Sequence, residues 1–259
     1  MLPRHRHLLD FLRQHGDTSV AALARTLRVT VQTVRRDIRL LEDEKLIARY
    51  HGGVGLSSTV ENIDYAQRQG MNADAKRRIA RLVASRVEPG RSIFINIGTT
   101  TEEVARALAH HRGIRVVTNN LNVAAILADN SESEVIIAGG VVRHRDRGIV
   151  GEATVDFISQ FRVDIGIIGV SSIELDGTLL DFDYREVKVA QAIIEHSREV
   201  WLVADHSKFD RAAMVRLGHL SQVHSFFTDT AVPPAVREVL RAARARLVVA
   251  DEAGAGLEP

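Results

Sequence analysis

The sequence predicts an α/β protein of two domains: a small winged helix-turn-helix head and a larger, doubly wound body. Three observations carry this. Three short helical segments open the chain, seven apolar runs alternate with amphipathic stretches behind them, and the charge balance reverses between the two parts. The 259 residues are long for one small domain. Residues 1–56 carry ten Lys or Arg against six Asp or Glu, while the rest carry twenty-four against twenty-seven. Only the head is therefore expected to meet a polyanion. The sequence has no cysteine, which excludes disulfides and thiolate zinc sites. No apolar run approaches membrane-spanning length and the N-terminus lacks a signal-peptide pattern, so a cytoplasmic protein is expected. The expected boundaries are 1–57 for the head, 58–75 for a linker, 76–250 for the body and 251–259 for a flexible tail.

In the head, "RHRHLLDFLRQH" lines up Leu8, Leu9 and Leu12, and Gly16 stops the helix. "TSVAALARTL" starts at a plausible cap, Ser19, and buries Val20, Leu23 and Leu27. Thr30 then caps "VQTVRRDIRLLEDE", in which Val31, Val34, Ile38 and Leu41 share one face. Gln32, Thr33, Arg35, Arg36 and Arg39 fall on or beside the other. Amide, hydroxyl and guanidinium groups near a helix start suit base edges and phosphates in a major groove. "LIARYHGGVGL" reads as two strands about His51-Gly52-Gly53, a wing that brings Arg49 and His51 to the flanking backbone. Asp37 interrupts the basic surface, and we expect it to hold Arg35, Arg36 or the wing in place. Asn62 to Arg68 is the one short helix suggested in the linker.

The body strands are "SIFINI", "IRVVT", "EVIIAGG", "DIGIIGV", "VWLVA", "SFFTD" and "RLVVA", with helices between most of them. Ligands of such sheets sit at the carboxyl ends of the strands. "NIGTTTEEVA" is the first such end. Gly98 permits close approach, and the amides and hydroxyls of Thr99, Thr100 and Thr101 open a helix, which suits an oxyanion. Further ends bring Asn119 and Asn120, Gly139 and Gly140 followed by Arg143, and Asp205 with Lys208. Together they predict a pocket for a small phosphorylated, hydroxyl-bearing metabolite. His110, His111 and His144 read as surface residues, and no spacing resembles a catalytic triad or a metal box.

Two resemblances sharpen this reading. "LRVTVQTVRRDIRLLEDEKLIARYHGG" resembles the helix-turn-helix of the DeoR family of bacterial repressors, with Thr30 where serine is usual. "GTTT", "VTNNLNVA", "GGVVR", "GEATVDFISQFRVD", "DFDYREVK" and "ADHSKF" resemble that family's C-terminal sensor domain, and the likeness runs from about Arg6 to about Leu240. It implies a repressor of glycerol metabolism that binds double-stranded operator DNA and leaves it when glycerol 3-phosphate, or a related phosphorylated polyol, binds. It also implies a homo-oligomer, dimer or tetramer, with no cofactor and no membrane partner. The same architecture tuned to another sugar phosphate is the nearer alternative.

The sensor domain also resembles ribose-5-phosphate isomerase, so a phosphosugar enzyme is the other alternative. Lys76, the GTTT loop and Lys208 match that enzyme's phosphate-holding positions. Its acid-rich strand end is here "IGVSSI", with Ile168, Ser171 and Ser172 in place of the acids, and no lysine lies between Gly148 and Val187. Glu186 alone survives. The resemblance implies that the phosphate grip is kept and the proton-transfer chemistry is gone.

Overall fold

Three helices, α1 (Pro3–His15), α2 (Val20–Thr26) and α3 (Val31–Asp43), precede the hairpin β1 (Ile47–Tyr50) and β2 (Gly53–Leu56). The chain starts α2 where the Ser19 hydroxyl accepts the Ala22 amide, and α3 where the Thr30 hydroxyl accepts the Thr33 amide. Leu8, Leu9, Leu12, Leu23, Val34, Ile38, Leu41, Ile47 and Val54 form the head's own core, while Val20 and Leu27 are partly buried against it. Val31 does not join it. At 39% exposure it lies at the open start of α3, one position ahead of the buried face. The wing strands pair antiparallel from Ile47↔Leu56 to Tyr50↔Gly53.

In the computed structural model, residues 3–15, 18–43, 46–50, 53–56, 65–209, 211–250 and 256–257 are described. They divide into two compact units, Met1–Val60 and Glu61–Pro259. The second starts with α4 (Tyr65–Gly70), which overlaps the suggested helix Asn62 to Arg68 and runs two residues past it, and α5 (Ala73–Ala84). Residues 65–75, expected as linker, thus belong to the body.

The body continues through β3 (Ser92–Ile95), α6 (Thr99–Leu108), β4 (Arg115–Thr118), α7 (Leu121–Leu127), β5 (Glu134–Ile137), β6 (Val141–Val142), β7 (Ile149–Val150), α8 (Glu152–Ser159) and β8 (Val163–Ile168). There follow β9 (Ser172–Ile173), β10 (Thr178–Asp181), α9 (Tyr184–Glu195), β11 (Ser197–Val203), β12 (Val215–His219), β13 (Ser225–Thr228), α10 (Pro234–Ala242), β14 (Arg246–Val249) and β15 (Gly256–Leu257). The main sheet has the order β15-β14-β13-β11-β8-β3-β4-β5. All its pairs are parallel except β14 with β15. That last pair replaces the expected flexible tail at residues 256–257.

Strand residues alternate between two cores. Phe94, Ile168, Leu202 and Phe226 meet Ile158 of α8, Ile193 of α9 and Leu240 of α10. Ile93, Ile95, Ile167, Trp201 and Phe227 meet Val83 of α5, Val104 of α6 and Leu127 of α7. Burial on both faces is why these strands read as continuous apolar runs. From β3 the chain winds outward through β4 and β5, then returns to β8 on the other side. The order therefore reverses between β3 and β8, and a crevice opens at their carboxyl ends. Two smaller pieces escape the apolar-run reading: an antiparallel sheet β12-β10-β9 and the hairpin of β6 with β7.

Candidate DNA-binding face and phosphate site

On α3, Gln32, Arg35, Arg36 and Arg39 are exposed. The three arginines make no hydrogen bond or ion pair to a described residue, so their donors face solvent. The Thr30 hydroxyl lies 2.9 Å from that of Thr33. Arg49 lies in β1, with its side chain outside the described residues; His51 is outside them altogether. Asp37 corrects the sequence reading. It holds neither Arg35, Arg36 nor the wing. It is buried beneath α3, where Arg4 of α1 donates to it at 2.6 and 2.9 Å and His5 lies 3.2 Å away. The Arg4 guanidinium keeps its carboxyl below the ordinary aspartate range. An acid in the middle of the basic helix is thus turned inward and neutralised, which leaves the outer face positive.

In the body, β3 ends at Ile95, and Gly98 turns the chain into α6 with φ of +152°. A Cβ there would sit 3.2 Å from Thr101 Oγ1. The Thr101 hydroxyl donates to the carbonyls of Asn96 and Gly98, both at 2.8 Å. It fastens the loop and is not free for a ligand. The first intrahelical bond runs from Glu102 N to Gly98 O, which leaves the amides of Thr99, Thr100 and Thr101 without an intrahelical acceptor. They stand at the reversal of the sheet, beside the end of β8.

Two lysines share one field, Lys76 with Glu102 and Glu103 of α6 and Lys208 with Lys76. Lys76, on α5, is buried and donates to the Arg68 carbonyl. Burial holds its pKa below the ordinary lysine value, against the pull of Asp205. Lys208, in the turn after β11, makes no hydrogen bond or ion pair to a described residue. Burial pushes it down to about 8, again against Asp205. Burial would raise the Asp205 carboxyl, but Lys208, Ser207 and Asn72 bring it below its usual range. Its Oδ1 accepts from Asn72 Nδ2 at 3.0 Å and from Ser207 Oγ at 2.5 Å. Asp205 is thus a strut between α5 and the lysine turn.

The other half of the expected pocket is committed to the protein itself. Asn120 caps α7, accepting the Asn122 amide at 2.9 Å, and donates to Glu102 Oε1 at 3.2 Å. Asn119 donates to the Ile149 carbonyl at 3.0 Å and so pins β7. The Gly139 carbonyl accepts from Thr154 Oγ1 at 2.9 Å. A Cβ on Gly140 would fall 2.1 Å from that hydroxyl, so this glycine serves close packing. Arg143 sits in a cage of three acids: Asp146 at 2.5 and 2.9 Å, Asp183 at 2.9 Å and Glu186 at 2.6 Å. Burial alone would lower its pKa, but Glu186 and Asp146 hold it well above the ordinary arginine value. Asn120, Gly139, Gly140 and Arg143 are thus spent on the scaffold, whereas Asn119 spends only its amide nitrogen. Burial and Asp181 push Glu186 up to about 7, against Arg143. With its carboxylate on Arg143, and Ser171 donating to Asp181 at 2.9 Å, the isomerase-like base is tied into structure.

Among the described residues, the buried atoms without a partner include Asn96 Oδ1 after β3 and Asn119 Oδ1 after the neighbouring β4. Sequence reasoning missed Asn96, Tyr65, Arg68, Asn72 and Glu102. Only the helical spacing of Tyr65 and Arg68 could have hinted at them. Among the described residues no cluster could hold a metal ion, and no helix is long and apolar enough to cross a membrane.

An arginine-faced helix in a winged helix-turn-helix, followed by a doubly wound body with a crevice at its carboxyl rim, is the architecture of a DNA-binding regulator with a ligand-sensing domain. Residues 4–60 match the DeoR-like helix-turn-helix domain and residues 71–230 the DeoR C terminal sensor domain. The chain belongs to the DeoR family. It is 48% identical over 237 residues to the glycerol-3-phosphate regulon repressor of Escherichia coli (strain K12), covering 92% of this chain and 94% of that one. The repressor of the same name from Haemophilus influenzae is 48% identical over 248 residues, 96% of each chain. The HTH-type transcriptional repressor CsqR of Escherichia coli (strain K12) is 41% identical over 250 residues, also 96% of each. Among solved structures, a ribose 5-phosphate isomerase from Methanocaldococcus jannaschii matches with a TM-score of 0.40 at 15% identity, covering 53% of this chain and 55% of that one.

Proposed function

We propose that this chain is a cytoplasmic repressor of glycerol 3-phosphate metabolism that releases its operator when glycerol 3-phosphate occupies the carboxyl rim of the body. The observation that supports the reading is the field shared by Lys76 and Lys208 beside α6, whose first three amides have no intrahelical acceptor; neither lysine is ion-paired to a described residue. A helix start and two ammonium groups suit a phosphate dianion. Asn96 Oδ1 and Asn119 Oδ1 are acceptors fit for polyol hydroxyls. The names of the relatives support glycerol 3-phosphate over other sugar phosphates. On the DNA side, Gln32, Arg35, Arg36 and Arg39 read the major groove, Thr30 and Thr33 lie at its edge, and Arg49 and His51 of the wing reach flanking phosphates. One recognition helix covers one half-site, so a symmetric homo-oligomer on a palindrome belongs to the proposal. Release requires that the effector bind one arrangement of the heads better than another, with a coupling of roughly 1–3 kcal/mol.

The test is fluorescence anisotropy of the full chain on duplexes selected from a random pool. Glycerol 3-phosphate and hexose, pentose and tagatose phosphates are added in turn. Release by glycerol 3-phosphate alone, at the lowest concentration, is the expected result. Release by a different sugar phosphate reassigns the effector, and release by none removes the sensing role.

A further inference from the structure

The segment that runs from the head into the body lies against the same cation cluster. In α4, the Tyr65 hydroxyl donates to Glu102 Oε2 at 2.6 Å and accepts from Asn122 at 2.8 Å, which sets the helix over the first turn of α6. One turn on, Arg68 lends its carbonyl to Lys76. Its guanidinium lies 5.8 Å from the centre of the Tyr65 ring and has no matched carboxylate. The nearest among the described residues, Asp146, is 3.9 Å from Nη2 and already takes two hydrogen bonds from Arg143. Arg68 Nε is buried with no hydrogen-bond partner. A guanidinium is a rigid fork of donors suited to two oxygens at once, and leaving such a fork buried and unfilled is costly. The charges that act on it include Asp146, Lys76 and Lys208. Arg68 contributes to lowering the pKa of both lysines, so the three cations share one field.

We propose that Arg68 is a further ligand of the effector's phosphate, supplied by the segment that leads out of the head. The inference rests on the effector reading above. It gives that reading a route: occupancy of the pocket is registered directly on α4, whose chain continues into the DNA-binding unit. Phosphate completes the fork that Asp146 leaves open, and the Tyr65–Glu102 hydrogen bond keeps α4 aligned to meet it.

The test is calorimetric titration of the full chain and of Arg68→Gln and Arg68→Lys with glycerol 3-phosphate and with inorganic phosphate, with melting temperatures alongside. Loss of a charge-assisted pair should weaken glycerol 3-phosphate in Arg68→Gln by about tenfold or more, with a parallel loss for inorganic phosphate. Arg68→Lys should recover part of it. Wild-type affinity in a normally melting Arg68→Gln overturns Arg68 as a ligand and leaves the sensor reading intact; a wild-type chain that takes up neither ligand overturns both. Should Arg68→Gln fail to fold, Arg68→Lys decides: a loss of threefold or more, roughly what a point charge forfeits against a fork, supports the assignment, and wild-type affinity ends it.

Discussion

Arg143 and Lys208 both stand in turns beyond strands of the body, and each looks from its position like a cation waiting for an anion. Arg143 is enclosed by Asp146, Asp183 and Glu186, and its charge is more than balanced. Lys208 has Asp205 in its field but no hydrogen bond or ion pair to a described residue, and burial weakens its hold on its proton. The cage stabilises the loops after β6 and before α9, whereas the lysine turn keeps a charge in reserve. What separates scaffold from binding site is whether a group's donors are already spent, not where it stands on the sheet.

The largest effect that would sharpen this contrast is on folding. Arg143→Ala leaves three carboxylates without their cation, and about 3–5 kcal/mol of stability should be lost at neutral pH. Urea unfolding measures it, and a loss below about 1 kcal/mol would dissolve the distinction. Lys208→Ala should do the reverse, folding at near wild-type stability while effector affinity drops by about 1.5–3 kcal/mol, or roughly 10–100-fold. Calorimetry on the full chain reads this, and unaltered affinity would take Lys208 out of the pocket. In the head, Arg36 is exposed as Arg4 is not. Arg36→Ala should weaken operator binding by about 1–3 kcal/mol at fixed salt and relax the choice of one base pair. Equal binding to all single-base variants, at wild-type strength, would remove it from the interface.

The smallest effect is on pH. Free Lys208 titrates at about 8, and a bound phosphate raises that value. Between about pH 6, where the phosphate dianion itself protonates, and pH 8, effector affinity is therefore full, and it falls as pH rises through 8 by at most about tenfold per unit. Proton uptake on binding, measured at pH 8 in buffers of different ionisation enthalpy, checks the sign. Proton release would contradict it.

The seven apolar runs all became strands, the inner ones because burial on both faces imposes a pattern that no long-range contact needs to supply; the edge strand β5 is only half-buried. The antiparallel sheet of β9, β10 and β12 was not legible, since its strands are short and β10 pairs with β12 far along the chain. Helix α4 spans six residues and has no apolar stripe. The contact that fixes it, Tyr65 to Glu102, is 37 residues apart. The site was half legible for the same reason. Gly98, Thr99, Thr100 and Lys208 were proposed from local types, because helix starts and lone cations are local features, while Lys76 entered only through the isomerase resemblance. That Arg143 is neutralised depends on Asp183 and Glu186, 40 and 43 residues away. Only the fold brings them in. Val31 erred by one helical position, where a stripe meets the helix start.

The most direct test is to watch the phosphorus nucleus of glycerol 3-phosphate by NMR while the intact chain is titrated in on its operator duplex. The account predicts that the signal shifts and saturates with the chemical species unchanged, and that DNA leaves in step with occupancy. A signal that never moves, or the growth of a new phosphorus resonance from a converted product, would contradict it.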